Sequence, residues 1–353
     1  MSSPASLLAT RVAYGAGQLP RIAWYMGHAL VMRRLSAHAR RDTAARPPAN
    51  TAAPVPQRNR LYADMAALFE QDLANVERGV YPLPIDHDGS LPKLLERSRL
   101  FFSDLPDIHR RRERGLRAEV LDETTRGIRP RYYLQNFHFQ SGGWMTKESA
   151  KRYDTQVEVL FQGTANAIRR QALLPLAAHF AARDQRRLRL LDVGCGTGRL
   201  IDFIKQAWPR LPVLGLDMSD AYLGEARRHL ARCCWLDLIV GKAEALPLAQ
   251  ATLDAVTSVF LFHELPPSIR RAAIAEFARV LRPGGTLVLV DSLQFGDQPD
   301  YDGMLELFPQ NYHEPYYGSY LNEDFRAIAK SCGLELRRNV PAFIAKVMVF
   351  DKR

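Results

Sequence analysis

One stretch, Leu188-Arg-Leu-Leu-Asp-Val-Gly-Cys-Gly-Thr-Gly-Arg-Leu200, constrains this chain more than any other. An apolar run ends in an acid, glycines follow at 194, 196 and 198, and a helical pattern begins. The pattern predicts a strand, a tight turn and a helix start. Glycines let the backbone turn sharply and approach a ligand closely. The first turn of the helix adds free N–H groups and a positive dipole end, which suit a carboxylate or sugar oxygens. The dinucleotide fingerprint needs a further glycine at 199, where Arg199 stands, and no GxxxxGKS/T phosphate loop occurs. Nicotinamide and nucleoside-triphosphate readings are both weakened.

Beyond Leu188 apolar runs alternate with helical patterns. Strands are expected at 188–193, 213–216, 236–240, 255–260 and 286–290, and helices at 198–207, 219–232 and 267–281. Such alternation predicts an α/β doubly wound, mainly parallel sheet with helices on both faces. Ligands of such sheets sit beyond the carboxyl ends of the strands. Asp217 follows the second strand, where an acid accepts hydrogen bonds from vicinal ribose hydroxyls; the plainer role is a turn residue before the next helix.

Three later segments complete the pattern: Gly241-Lys-Ala-Glu-Ala-Leu-Pro247, Phe260-Leu-Phe-His-Glu-Leu-Pro266, and Arg279-Val-Leu-Arg-Pro-Gly-Gly-Thr-Leu-Val-Leu-Val290. In this order and spacing, the set resembles the class I S-adenosylmethionine-dependent methyltransferase family, strongly over residues 188–291. The resemblance implies a seven-stranded sheet with one antiparallel strand. S-adenosylmethionine is the implied cofactor, S-adenosylhomocysteine the product, and no metal is expected. Gly194, Gly196 and Gly198, with Cys195 in the same turn, would line the methionine and ribose, and Asp192 would support the turn near the methionine amine. Asp217 would hold the ribose, Met218 would pack on the adenine, and Ala243 and Glu244 would border it. Related enzymes often carry an acid where this chain has Lys242. Phe260 to His263 would face the sulfonium and the acceptor. The Ala-Glu-Ala-Leu-Pro run resembles the subgroup that methylates quinones and other small lipophilic molecules.

Methyl transfer from a sulfonium needs alignment and desolvation, and a base only where the acceptor must lose a proton. His263 is the expected candidate; capping or packing of the next helix is its plainer role. The segment Tyr132–Trp144 gathers aromatics, amides and a histidine, and residues 308–320 form a second aromatic cluster. The two are expected to meet over the cofactor, with Tyr133, Phe137, His138, Trp144, His313 and Tyr316 forming an acceptor pocket.

The net charge of +10 is concentrated at the start: residues 1–60 hold nine arginines, no lysine and one acid, so the remaining chain carries only +2. A near-neutral body argues against nucleic acid as a partner and favours a small-molecule acceptor. RNA or protein methylation, and a non-catalytic binding protein, are the alternatives. Residues 1–41 predict a basic helix with Leu19, Ile22, Met26 and Leu30 on one face. Three roles stay open for it: contact with a membrane surface or partner, packing on the body, or targeting. Residues 42–57, with four prolines, predict a linker. The expected organisation is therefore 1–60 basic segment and linker, 61–150 helical and aromatic cap, and 151–353 methyltransferase domain. No apolar run reaches the ~20 residues that span a bilayer, and four cysteines without paired spacing predict reduced thiols and no zinc site. A cytoplasmic location, with peripheral membrane association left open, is the expectation.

Overall fold

Strands form where apolar residues run without helical spacing. A computed structural model describes residues 4–41, 50–122 and 127–353, with the side chains of 38–41 left out. The strands are β1 (Leu190–Val193), β2 (Val213–Asp217), β3 (Leu236–Val240), β4 (Leu253–Val259), β5 (Leu281–Ser292), β6 (Leu334–Ala342) and β7 (Ala345–Lys352). They make one seven-stranded sheet in the order β3-β2-β1-β4-β5-β7-β6. β1 to β5 are parallel, and β7 runs antiparallel to both β5 and β6. The expected doubly wound sheet with one reversed strand is what the chain forms.

Both faces of the sheet are covered, so its strands are apolar on both sides. Leu190, Val288 and Val290 join one core with Ile201, Ile204 and Leu176. Leu191, Leu287 and Leu289 join the other with Ile274, Phe277 and Phe325. Each fully buried Leu, Ile or Val contributes roughly 1.5–3 kcal/mol. The helices from the glycine turn onward are α7 (Arg199–Ala207), α8 (Asp220–His229), α9 (Pro267–Val280), α10 (Asp302–Asn311), α11 (Tyr317–Tyr320) and α12 (Phe325–Ser331). Ser219 caps α8 by accepting from the Tyr222 N–H at 3.2 Å.

Among the described residues six helices precede the sheet: α1 (Pro4–Arg41), α2 (Arg58–Glu77), α3 (Leu91–Arg114), α4 (Lys147–Leu160), α5 (Ala165–Arg170) and α6 (Leu173–Phe180). The helical stretch between residues 147 and 170 breaks near Gly163, whose φ is +88° and whose Cβ would meet the Ile22 backbone at 3.0 Å. The charge run at 110–114 ends α3. Within it Arg111 is buried and donates to Ser141 Oγ at 2.8 Å. Of the expected linker, residues 42–49 lie outside the described residues. The remainder is tied down: Gly303 N–H donates to Pro54 O at 2.8 Å, and Thr51 Oγ1 to Glu306 Oε2 at 2.5 Å.

α1 departs most from its expected face. It docks through Tyr14, Gln18, Arg21, Tyr25 and Ala29, while Leu19 is 67 % exposed and Leu30 46 %. Ile22 and Met26 are half-buried. The docking face is polar because it meets charge. Arg21 pairs with Asp88 at 2.8 Å and with Glu158. Tyr14 donates to Asp72 at 2.5 Å, and Gln18 to Asp86 at 2.7 Å. Asp72 and Asp86 in turn hold Arg170 at 2.6 and 3.0 Å, and the Arg170 side chain is fully buried. Removing one partner of a buried pair leaves an uncompensated charge. Arg170→Met is therefore expected to lower unfolding free energy by about 3–5 kcal/mol, measured by urea denaturation; an unchanged midpoint would contradict this account of the interface.

Candidate active site

The strand order reverses between β1 and β4, which opens a crevice at their carboxyl ends. The glycine turn lies there. Gly194, Gly196 and Gly198 have φ of +70°, +54° and +83°, the left-handed region that side chains avoid. At Gly198 a Cβ would also approach Leu230 Cδ1 to 2.5 Å. Gly198 is the N-cap of α7 and does not line the crevice.

Asp217, at the end of β2, accepts from the Gly196 N–H at 2.8 Å through one oxygen and from the Ser219 N–H at 2.8 Å through the other. It thus braces the turn against the start of α8. A carboxylate has about four acceptor sites, so both oxygens keep capacity toward the crevice. Burial raises its pKa, and these N–H donors oppose the rise. Asp192 is buried inside β1 and accepts from Thr257 Oγ1 at 2.7 Å. Burial pushes its pKa up to about 7.

The crevice is lined by Gly194, Gly196, Asp217, Met218, Ala243, Phe260, Leu261 and Glu264 from the strand ends, by Tyr153 and Tyr222, and by Tyr132, Tyr133, Phe137 and Trp144 from the aromatic segment. A smaller recess shares Tyr153, Gly194, Gly196 and Phe260 and reaches Asp192, Cys195, Arg169 and Arg199. Phe260 has φ +56°, a strained conformation for a non-glycine residue that costs on the order of 1–3 kcal/mol. Its ring lies 4.9 Å from Phe161, and the Arg169 guanidinium sits 5.6 Å from its centroid.

Several sequence-derived site residues lie elsewhere. Glu244 is off the wall because it accepts from Tyr132 Oη at 2.7 Å, so the ring and not the acid faces the crevice. Cys195 is buried in the recess. His138, His313 and Tyr316 stand behind the wall. The two aromatic clusters do meet: His138 N–H donates to His313 O at 3.1 Å, and His313 Nε2 is 2.9 Å from Gln135 Oε1. Residues 308–320 back the 132–144 segment and do not line the crevice.

His263 does not fit the role of a neutral base. Its Nδ1 lies 2.5 Å from Asp291 Oδ1, and its side chain is not on the crevice wall. Burial lowers its pKa, but Asp291 outweighs this and raises it to about 9, so the ring is cationic near neutrality. The neighbouring Glu264 takes the wall position. Sequence reasoning missed Glu264, Tyr153 and Arg169. Glu264 adjoins a flagged motif residue, whereas Tyr153 and Arg169 lie on helices with no local signal.

The third position of the turn now has a reason. Arg199 Nε donates to Asp154 at 2.8 Å, Nη1 donates to Asp86 O at 2.8 Å, and Thr197 Oγ1 donates to Asp154 at 2.6 Å. Burial alone would raise the Asp154 pKa, but Arg199 pulls it well below the carboxylate range. Arg199 thereby ties the turn to α4 and the N-terminal helices.

Comparison with known proteins agrees with this geometry. Residues 190–285 match the family model described as a methyltransferase domain. Over 187 residues the chain is 33 % identical to the demethylmenaquinone methyltransferase of Thermus thermophilus, covering 52 % of this chain and 79 % of that protein. The chain belongs to the class I S-adenosylmethionine-dependent methyltransferase family. It is also 34 % identical over 146 residues to a ubiquinone/menaquinone biosynthesis C-methyltransferase of Syntrophotalea carbinolica, covering 41 % of this chain and 58 % of that one. To the malonyl-[acyl-carrier protein] O-methyltransferase of Methylococcus capsulatus it is 40 % identical over 99 residues, 28 % of this chain and 35 % of that one. The match thus spans about a third of the length of that last relative.

A histidine with a raised pKa stabilises the fold fully below its ordinary value of 6.5. That contribution is lost as pH climbs through the folded value of about 9. Stability is therefore expected to fall between pH 6.5 and 9, and His263→Gln should flatten the fall in urea unfolding measured across that window. Equal slopes for both proteins would contradict the His263–Asp291 pairing.

Proposed function

We propose that this protein transfers a methyl group from S-adenosylmethionine to a small lipophilic or aromatic acceptor. The observation that carries the reading is the crevice at the switch between β1 and β4, with Asp217 on its wall between the glycine turn and α8. In this reading Asp217 holds the ribose hydroxyls, Met218 and Ala243 flank the adenine, and Arg169 in the recess meets the methionine carboxylate while Asp192 supports the turn beside the amine. S-adenosylmethionine supplies the electrophilic methyl. The protein aligns the acceptor behind it and excludes water with Phe137, Trp144 and Tyr222, whose rings pack at 5.7 and 5.9 Å around Trp144. This aromatic wall, with Glu264 on the same wall, supports a flat acceptor of low polarity. The quinone-pathway names of two relatives point the same way. Labelled S-adenosylmethionine incubated with the protein and a cell extract is expected to label an organic-soluble product. S-adenosylhomocysteine should bind at least tenfold more weakly to Asp217→Ala by calorimetry, and unchanged affinity would remove the ribose assignment.

The exposed side of α1 supports recruitment to an anionic lipid surface. At about 100° per residue, Leu8, Val12, Leu19 and Leu30 fall within about 40° of one another, and each is 46–67 % exposed. The helix carries no acid, and Arg11, Arg33 and Arg34 are exposed on it, which suits an anionic interface. No helix among the described residues is long and apolar enough to cross a membrane. The protein is expected to float with vesicles containing phosphatidylglycerol and not with phosphatidylcholine alone, and Leu8→Ser, Val12→Ser and Leu19→Ser together should abolish flotation. Flotation unaffected by the triple change would exclude this face.

A further inference from the structure

Behind the aromatic wall, three side chains far apart in sequence converge. His138 comes from the segment before α4, Glu264 from the turn after β4, and Glu314 from the connection between α10 and α11. One ring nitrogen and one oxygen of each carboxylate all lie within 4.8 Å of one another. His138 Nε2 is 2.8 Å from Glu314 Oε1. Donors bound at about 2.0–2.2 Å sit about 3 Å apart when adjacent and about 4 Å apart when opposite. The cluster therefore has the span of a slightly open coordination shell.

Glu314 makes the cluster more than a group of acids. Its side chain is wholly buried, yet neither carboxylate oxygen accepts a hydrogen bond of normal geometry. A buried carboxylate without donors needs a compensating positive charge. Glu264 faces it, so two carboxylates share this space. The neighbouring His263 ring is turned away to Asp291 at 2.5 Å, with its other nitrogen 3.9 Å from Glu264.

We propose that His138, Glu264 and Glu314 bind one divalent cation of the Mn2+, Fe2+ or Zn2+ kind. One imidazole with two carboxylates suits these borderline ions better than soft thiolate-seeking ones. Three protein ligands leave at least one coordination position open. Glu264 also lines the crevice, so that position faces the acceptor side. Resting on the methyltransferase reading above, the class of acceptor is then one with a hydroxyl, enol or carboxylate oxygen that the cation holds. Cation binding itself stands on the cluster alone. The expectation of no zinc site rested on cysteine spacing, whereas these donors are brought together only by folding.

The test uses full-length protein stripped with a chelator, dialysed, and titrated with MnCl2 and with ZnCl2 by calorimetry, with S-adenosylhomocysteine titrated separately. One equivalent of at least one cation is expected to bind, and Glu314→Gln and His138→Gln should each weaken that binding at least tenfold while S-adenosylhomocysteine affinity is kept. Wild-type protein that takes up neither cation overturns the proposal whatever the variants do, and points to a proton shared by Glu264 and Glu314. Cation uptake equal in wild type and variants overturns it too. Failure of wild-type protein to bind S-adenosylhomocysteine would count against the methyltransferase reading and leave the cation result standing.

Discussion

The buried ion network between the N-terminal helices and the sheet domain holds the rest of the structure in place. Arg21, Arg170 and Arg199 meet Asp72, Asp86, Asp88, Asp154 and Glu158 almost wholly out of solvent. Charges so placed are stabilising only when every partner is present. The network therefore fixes one arrangement of α1, α2, α4 and α5 against α7. Because Asp154 also binds Thr197 and Arg199, the same network clamps the glycine turn. The departure from a nucleotide-binding glycine pattern at 199 is a structural tie to the extension.

That tie has a consequence for the site. The aromatic segment that walls the crevice lies between α3 and α4, so its position depends on how those helices seat. Tyr132, Tyr133, Phe137 and Trp144 close one side of a crevice whose other side is the strand ends. Residues 308–320 then press on that segment from behind through His138, Phe139 and Gln135. Glycine turn, aromatic wall and backing insertion thus form one packed sequence of layers. The polar groups of this region are few: Glu264 on the wall, and His138, His263, Asp291 and Glu314 off it.

Much of the sheet was legible because its signals are local. Apolar runs bounded by Gly, Pro and Asp marked β1 to β4 within a residue or two, and the acid after β2 and the glycine turn after β1 marked the crevice at the strand ends. The α1 face was misread for a physical reason. Apolar periodicity locates a core face only when the partner surface is apolar, and here the partner offers carboxylates, so polar residues and Tyr14 and Tyr25 turn inward. The environment of His263 was equally hidden: its position after β4 is visible in sequence, but its partner Asp291 lies a strand away and favours the protonated ring.

Short patterns of strand, turn and helix start were enough to read the mainly parallel sheet and the glycine turn and acid at its strand ends, because each of these signals is local. Tertiary structure alone decided which aromatics face the crevice, why position 199 is arginine, and that His138, Glu264 and Glu314 converge. Those facts depend on contacts between distant segments, and the burial and charge neighbours that set their chemistry exist only once the chain has folded.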